Sequence, residues 1–267
     1  MYKSKQITLV LAVAPLLFAT TAFAADTAAD TADVWHYSIG LGAVNAPLYP
    51  GADKNKWRAL PLAGASYGRY FFGVADPATG IPFGAGAYLL QGEHWKAGVA
   101  LGYDIVSPRR ESDYSTRLHG LGDIERAVRM SLFSRYTKNG FSLSGAFINS
   151  SNGQGMQVKL GADTAIKLTS KLSVNVGQSL TWSNNKSNQT FYGITAQQSA
   201  NSGIRQYSPG AGISDLTFSV GLSYLLEQNW SVGARLSASL LPSNISDSPV
   251  VGTHTTSNVG VFTTYRF

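Results

Sequence analysis

The chain has 267 residues and a formal net charge of +6, yet only 13% of its residues are charged, while 28 are Gly and 11% are aromatic. Soluble domains carry about 25% charged residues, so this composition is foreign to an ordinary soluble domain. The charge falls to +4 without Lys3 and Lys5 and is dispersed, with no basic stripe among aromatics, which excludes a nucleic-acid partner.

Met1 to Ala24 reads as a secretory signal peptide. Lys3 and Lys5 form its basic start, Ile7 to Ala19 its apolar centre, and Ala22-Phe23-Ala24 an A-x-A cleavage site. The apolar centre is about thirteen residues long and contains Pro15, whereas a spanning helix needs about twenty. Cleavage after Ala24 leaves residues 25–34 as a flexible mature N-terminus and residues 35–267 as one domain. No later apolar run approaches the length of a helical span. The absence of cysteine fits an exported protein without disulfides.

Downstream, alternation of apolar and polar residues dominates. It predicts strands at about 35–44, 57–67, 69–76, 80–90, 94–104, 125–137, 140–149, 154–168, 171–184, 214–227, 230–241 and 256–267. In residues 214–227, Leu216, Phe218, Val220, Leu222, Tyr224 and Leu226 alternate with Thr217, Ser219, Gly221 and Ser223. A soluble sandwich places charges on its polar face. Here that face is mostly Gly, Ser, Thr and Asn, as a confined lumen requires. The fold expected is all-β, a transmembrane antiparallel β-barrel of about 12 strands. The third strand is the weakest, and ten strands is the alternative count.

The connections alternate in length. Long ones fall at 45–56, 105–124, 185–213 and 242–255, all on one side, the extracellular one. Gly68, Gln91-Gly92-Glu93, Lys138-Asn139, Thr169-Ser170 and Glu227-Gln228-Asn229 are tight periplasmic turns. Two further short links, near 77–79 and at 150–153, fall on the extracellular side. Both termini are then periplasmic. The last strand places Val259, Val261, Tyr265 and Phe267 on one face, with Asn258, Gly260, Thr264 and Arg266 on the other. Ending on an aromatic residue marks it as the C-terminal signal read by the barrel-assembly machinery.

Chemistry is sparse. His36, His94, His119 and His254 lack metal-ligand spacing, so no metal or cofactor is expected. Some outer-membrane barrels are lipid hydrolases, but His254 near Ser257, or His119, gives only chance proximity in a Ser-rich chain without a Gly-x-Ser-x-Gly motif. The chain is read as non-enzymatic. Glu125, Arg129, Arg135, Lys159, Asp163, Lys167 and Arg235 fall on polar strand faces, as a lumen network of mixed sign. The sharper reading of those charges is a narrow channel with weak anion preference. Arg109, Arg110 and Arg117 in the third outer loop could meet lipopolysaccharide phosphates or simply be solvated.

Several segments together resemble the MipA/OmpV outer-membrane proteins. They are Pro47-Leu-Tyr49-Pro-Gly51, Gly120-Leu-Gly122-Asp123-Ile-Glu-Arg-Ala127, Phe191-Tyr192-Gly193-Ile194, Tyr207-Ser-Pro-Gly210-Ala211-Gly212-Ile-Ser-Asp215, Ser246-Asp247-Ser248-Pro249-Val250-Val251 and Tyr265-Arg266-Phe267. Pro50-Gly51-Ala52-Asp53 departs from the Gly-Ser-Asp more common in that family. The resemblance implies an outer-membrane barrel without known catalytic residues. It also implies a scaffold that brings a membrane-bound lytic transglycosylase together with a murein synthase. Other members are described as surface porins or adhesins. A passive channel or adhesin barrel is therefore the alternative function.

Overall fold

The computed structural model describes residues 34–267. The expected signal peptide, its cleavage site and residues 25–33 lie outside the described residues.

Twelve strands form one closed antiparallel barrel. They are β1 (Trp35–Pro47), β2 (Asn55–Tyr67), β3 (Tyr70–Val74), β4 (Phe83–Gln91), β5 (Trp95–Tyr103), β6 (Val128–Lys138), β7 (Phe141–Ser150), β8 (Gly155–Lys167), β9 (Leu172–Ser183), β10 (Gly212–Leu225), β11 (Trp230–Leu240) and β12 (Thr255–Arg266). Each pairs with its neighbours in the chain, and β1 closes on β12 with Ser38 opposite Arg266 and Asn45 opposite Val259. Closure pairs the first strand with the last, which is what allows strands to cross a bilayer with few unsatisfied backbone groups. Eleven residues at about 3.3 Å rise and about 40° tilt cover roughly 28 Å, enough for the apolar band.

Period-two alternation sorts the side chains. Leu41, Leu101, Leu132, Leu160 and Leu236 face outward and are each more than half exposed. Ser131, Ser219, Ser237, Ser239, Asn258 and Thr264 face inward and are buried. Val259, Val261, Tyr265 and Phe267 are all exposed on the outer face of β12. Aromatics gather at the end carrying the short turns. Trp35 lies beside Tyr37 (ring centroids 5.6 Å) and Tyr67 (5.1 Å), Trp95 beside Tyr136 (5.0 Å), and Tyr265 beside Phe267 (5.1 Å). Amphipathic rings of this kind form the interfacial girdle of a membrane barrel.

The wall is uneven. β1 and β2 pair over their full length, Trp35 with Tyr67 through Pro47 with Asn55. β3 has only five residues, and its ladder with β2 covers just Gly64 to Tyr67. The short outer connection expected near 77–79 is instead a longer link, Ala75 to Pro82, that folds into the lumen. Pro77 and Pro82 lack the N–H that a continued ladder would need. Ala75, Ala78 and Ile81 bury themselves against Phe71, Ala100, Phe133, Ala146 and Ile148 from β3, β5, β6 and β7. A one-turn 3-10 helix at Pro77–Thr79 shapes the inward segment, capped by the Asp76 side chain. Phe71, Tyr88 and Phe133 meet with centroids 5.2 to 6.1 Å apart, two of the three contacts edge-on. Room for this plug comes from Gly86 and Gly102: a Cβ there would collide with the Phe71 ring and the Ile81 side chain.

The long connections are not irregular throughout. They contain α1 (Ser115–Leu118), α2 (Asn185–Tyr192), α3 (Ala196–Ser202) and α4 (Ser243–Ser246). Asn184 caps α2 through Ser187 N, and Thr195 caps α3 in a reciprocal box with Gln198.

Candidate functional site: the capped lumen

The plug fills the β3–β7 side of the barrel and leaves the β8–β11 side polar. There a cavity of about 100 Å³ is lined by Arg135, Lys159, Asp163, Arg235, Thr217 and Ser219, among others. Arg135 is buried and links the two sides, with Nη1 3.9 Å from Asp76 and Nη2 3.7 Å from Asp163. The Tyr88 hydroxyl donates to Asp76 Oδ2 at 2.9 Å. Arg235 Nη2 donates to Ser219 Oγ at 2.8 Å, and the Thr217 and Ser239 hydroxyls lie 3.0 Å apart.

Of the seven charges expected in the lumen, Arg135, Lys159, Asp163 and Arg235 meet around this cavity. Arg129 points inward nearer the opposite rim and holds Asp104 at 2.7 Å. Lys167 sits exposed at the turn end of β8. Glu125 lies before β6 and is exposed. Its segment is drawn away by the pairing of Ile124 with Arg109, whose carbonyl accepts from Ile124 N at 2.9 Å. The sequence reading did not single out Asp76 and Asp104, the last residues of two expected strands; the structure ends β3 at Val74 and β5 at Tyr103, and these two residues supply the opposing charge from just beyond the strand ends.

The end of the barrel opposite the turns is covered. Tyr49, Ala52, Leu118, Leu121, Ile194 and Val250 come from four different connections and form a second buried apolar cluster. Polar contacts tie it together. Tyr49 Oη donates to Val250 O (3.1 Å), Gln198 Nε2 to Leu121 O (2.7 Å), Tyr207 Oη to Asn244 O (3.0 Å) and Gly252 N to Gly51 O (2.8 Å). Arg117 reaches Asp53 at 3.4 Å. Five of the six segments quoted above, all but the C-terminal one, contribute to this cap or border it.

Electrostatics in the cap follow from burial. Desolvation pushes the Tyr49 hydroxyl up to about 12, and it also raises Tyr192. Arg109 is 2% exposed, and burial lowers its affinity for a proton. That burial removes Arg109 from any lipid surface. Glu111 is held below the ordinary carboxylate value by the N–H groups of Gly120 and Gly122, at 2.8 and 3.2 Å. His119 is exposed beside Glu111 (3.3 Å), His254 is exposed in the last loop, and Ser257 is on the outer face of β12.

A closed twelve-strand barrel with an outward apolar band, an aromatic girdle and a plugged, capped interior defines a transmembrane barrel of the outer-membrane type. The chain belongs to the family described as MltA-interacting protein MipA, whose family model matches residues 39–267. It is 30% identical over 96 residues to the MltA-interacting proteins of Escherichia coli (strain K12) and Shigella flexneri. That alignment spans 36% of this chain and 38% of each relative. Among solved structures, an outer membrane channel from Pseudomonas putida F1 aligns over 91% of this chain and all of its own, with TM-score 0.47 and 11% identity. A bacterial polysaccharide outer membrane secretin aligns over 89% of this chain and all of its own, with TM-score 0.41 and 12% identity. At these scores the fold rests on the barrel's own ladders.

Proposed function

We propose that this protein is a non-catalytic outer-membrane barrel that acts as a scaffold in murein remodelling, gathering a lytic transglycosylase and a murein synthase at its turn end. The observation that carries the reading is the family membership over almost the whole described chain, together with the name MltA-interacting protein that its relatives carry. The cap and plug favour a structural role over free diffusion, because both obstruct a through-path. The turn end carries Arg69, Lys138, Lys167 and Lys171 against Glu93 and Glu227, all exposed, so an acidic partner surface would be complementary. A standard interface needs about 800 Å² per partner, so the docked enzyme would have to span most of that rim. Cross-linking with mass spectrometry in intact cells should recover a lytic transglycosylase on turn-end lysines. Its repeated absence would sink the scaffold role.

The polar cavity favours a second reading, a narrow channel opened by displacement of the cap. In planar bilayers the wild-type barrel is expected to show no conductance steps. Steady large steps would replace the scaffold reading with the channel.

A further inference from the structure

The wall has a notch. On its β3 side, β2 is paired only from Gly64 to Tyr67, so Asn55 to Ala63 pair with β1 alone among the described residues. The Ala75–Pro82 segment that would have built the missing wall has gone into the lumen, and β5 ends at Tyr103. A barrel cannot present such an edge to hydrocarbon, because unpaired N–H and C=O groups are costly there. Counting about eleven residues up from Tyr67 at the turn-end girdle brings β2 to Trp57, so the cap end of the notch, at Asn55 to Arg58, lies at headgroup depth, where polar partners can cover it.

The chemistry at that place is one-sided. Lys56 and Arg58 from β2, and Arg110 and Arg126 from the connection between β5 and β6, line a pocket of about 210 Å³ with Asp113 as the only carboxylate. None of the four cations forms an ion pair among the described residues. Asp113 is already engaged, accepting from Arg110 N at 2.8 Å. Arg58 is fixed in place by donating to the carbonyls of Pro47 (3.2 Å) and Leu48 (3.1 Å). Beside the cations stand Ile105 and Val106, both about half exposed, and Trp57 is exposed on the outer wall of β2. Convergent cations beside the half-exposed apolar side chains of Ile105 and Val106 match an amphiphile with an anionic head and acyl tails.

We infer that this notch is a lateral binding site for a phosphorylated lipid of the leaflet at the cap end, of the lipid A class. The phosphates lie among Lys56, Arg58, Arg110 and Arg126, and an acyl chain lies along Ile105 and Val106. The head also supplies the polar partners that the open edge of β2 lacks. The site rests on the membrane placement proposed above but is independent of the scaffold role.

The test uses the full chain in detergent, with lipid A retention followed by native mass spectrometry and folding checked by heat-modifiable gel mobility. Wild-type protein should retain lipid A. The Lys56→Glu/Arg110→Glu/Arg126→Glu variant should bind it at least roughly tenfold more weakly. Reversing Arg69, Lys138 and Lys171 at the turn end should change nothing. Arg126→Gln, a milder change, should weaken retention in the same direction and decides the matter if the triple variant misfolds. Unchanged retention in the folded variants overturns the site, as does equal binding of dephosphorylated lipid A. Displacement of lipid A by inorganic phosphate alone would show a free-anion site and overturn the lipid assignment. Absence of the wild-type chain from the membrane fraction would instead remove the membrane placement itself.

Discussion

The two sides of the lumen are closed by opposite means. On the β3–β7 side, a wall connection turns inward and packs dry, with Phe71, Phe133, Ile81 and Ile148 buried together. On the β8–β11 side, hydroxyls and charges surround a cavity and hold one another through hydrogen bonds. The cap repeats the dry solution with residues from four connections. Dry packing gives energy and a single arrangement, because any void loses contacts outright. A wet network tolerates substitution, because water can take the place of a lost hydroxyl.

That contrast predicts a graded response to single changes, read by denaturant unfolding of the barrel in detergent. Phe133→Ala should be the most damaging, at about 3–5 kcal/mol, because it removes the ring against which Phe71 and Tyr88 pack. A loss under 1 kcal/mol would mean the plug is not packed dry. The cap should show its dryness at high pH. Tyr49 has a folded value raised to about 12 against the ordinary 10.0, so its contribution is intact below pH 10 and disappears between pH 10 and 12. The loss is about 2–3 kcal/mol, and Tyr49→Phe should abolish that part of the pH dependence while costing about 1 kcal/mol at neutral pH. Ser131→Ala, which frees the Thr79 carbonyl now bonded at 2.6 Å, should cost about 1 kcal/mol. Thr217→Ala in the wet half should stay within about 0.5 kcal/mol. If it costs as much as Phe133→Ala, the two sides do not differ as described.

The strands were legible because their signal is local. A strand with one face to lipid and one to the lumen must alternate, and the twelve expected segments coincide with β1–β12 to within a few residues. The third was short for a reason written in Pro77 and Pro82, but its inward path was not readable. Nothing local distinguishes Ala78 and Ile81 in a surface loop from the same residues buried against Phe133. Gly86 and Gly102, which make space for them, look like any other lumen glycine. The cap's helices were not expected from the alternation, which left 185–213 as a plain long connection, although the structure shows Thr195 and Gln198 forming a capping box at the start of α3. The cap's core was hidden, because Tyr49, Leu118, Ile194 and Val250 meet only after the barrel has brought four loop ends together. Of the lumen charges, alternation located the strand-borne ones and passed over Asp76 and Asp104.

The inward segment has a mechanical consequence. Ser131 on β6 donates to Thr79, while Tyr88 on β4 donates to Asp76. Those bonds join strands that are not neighbours in the wall. A hollow cylinder of strands can flatten under lateral pressure by small changes at every ladder, with no single contact resisting. A chord fixed at both sides cannot shorten without breaking these bonds and opening the aromatic contacts. The segment therefore works as a cross-brace: it holds the barrel's cross-section on the β3–β7 side and leaves the β8–β11 side as the compliant part of the wall.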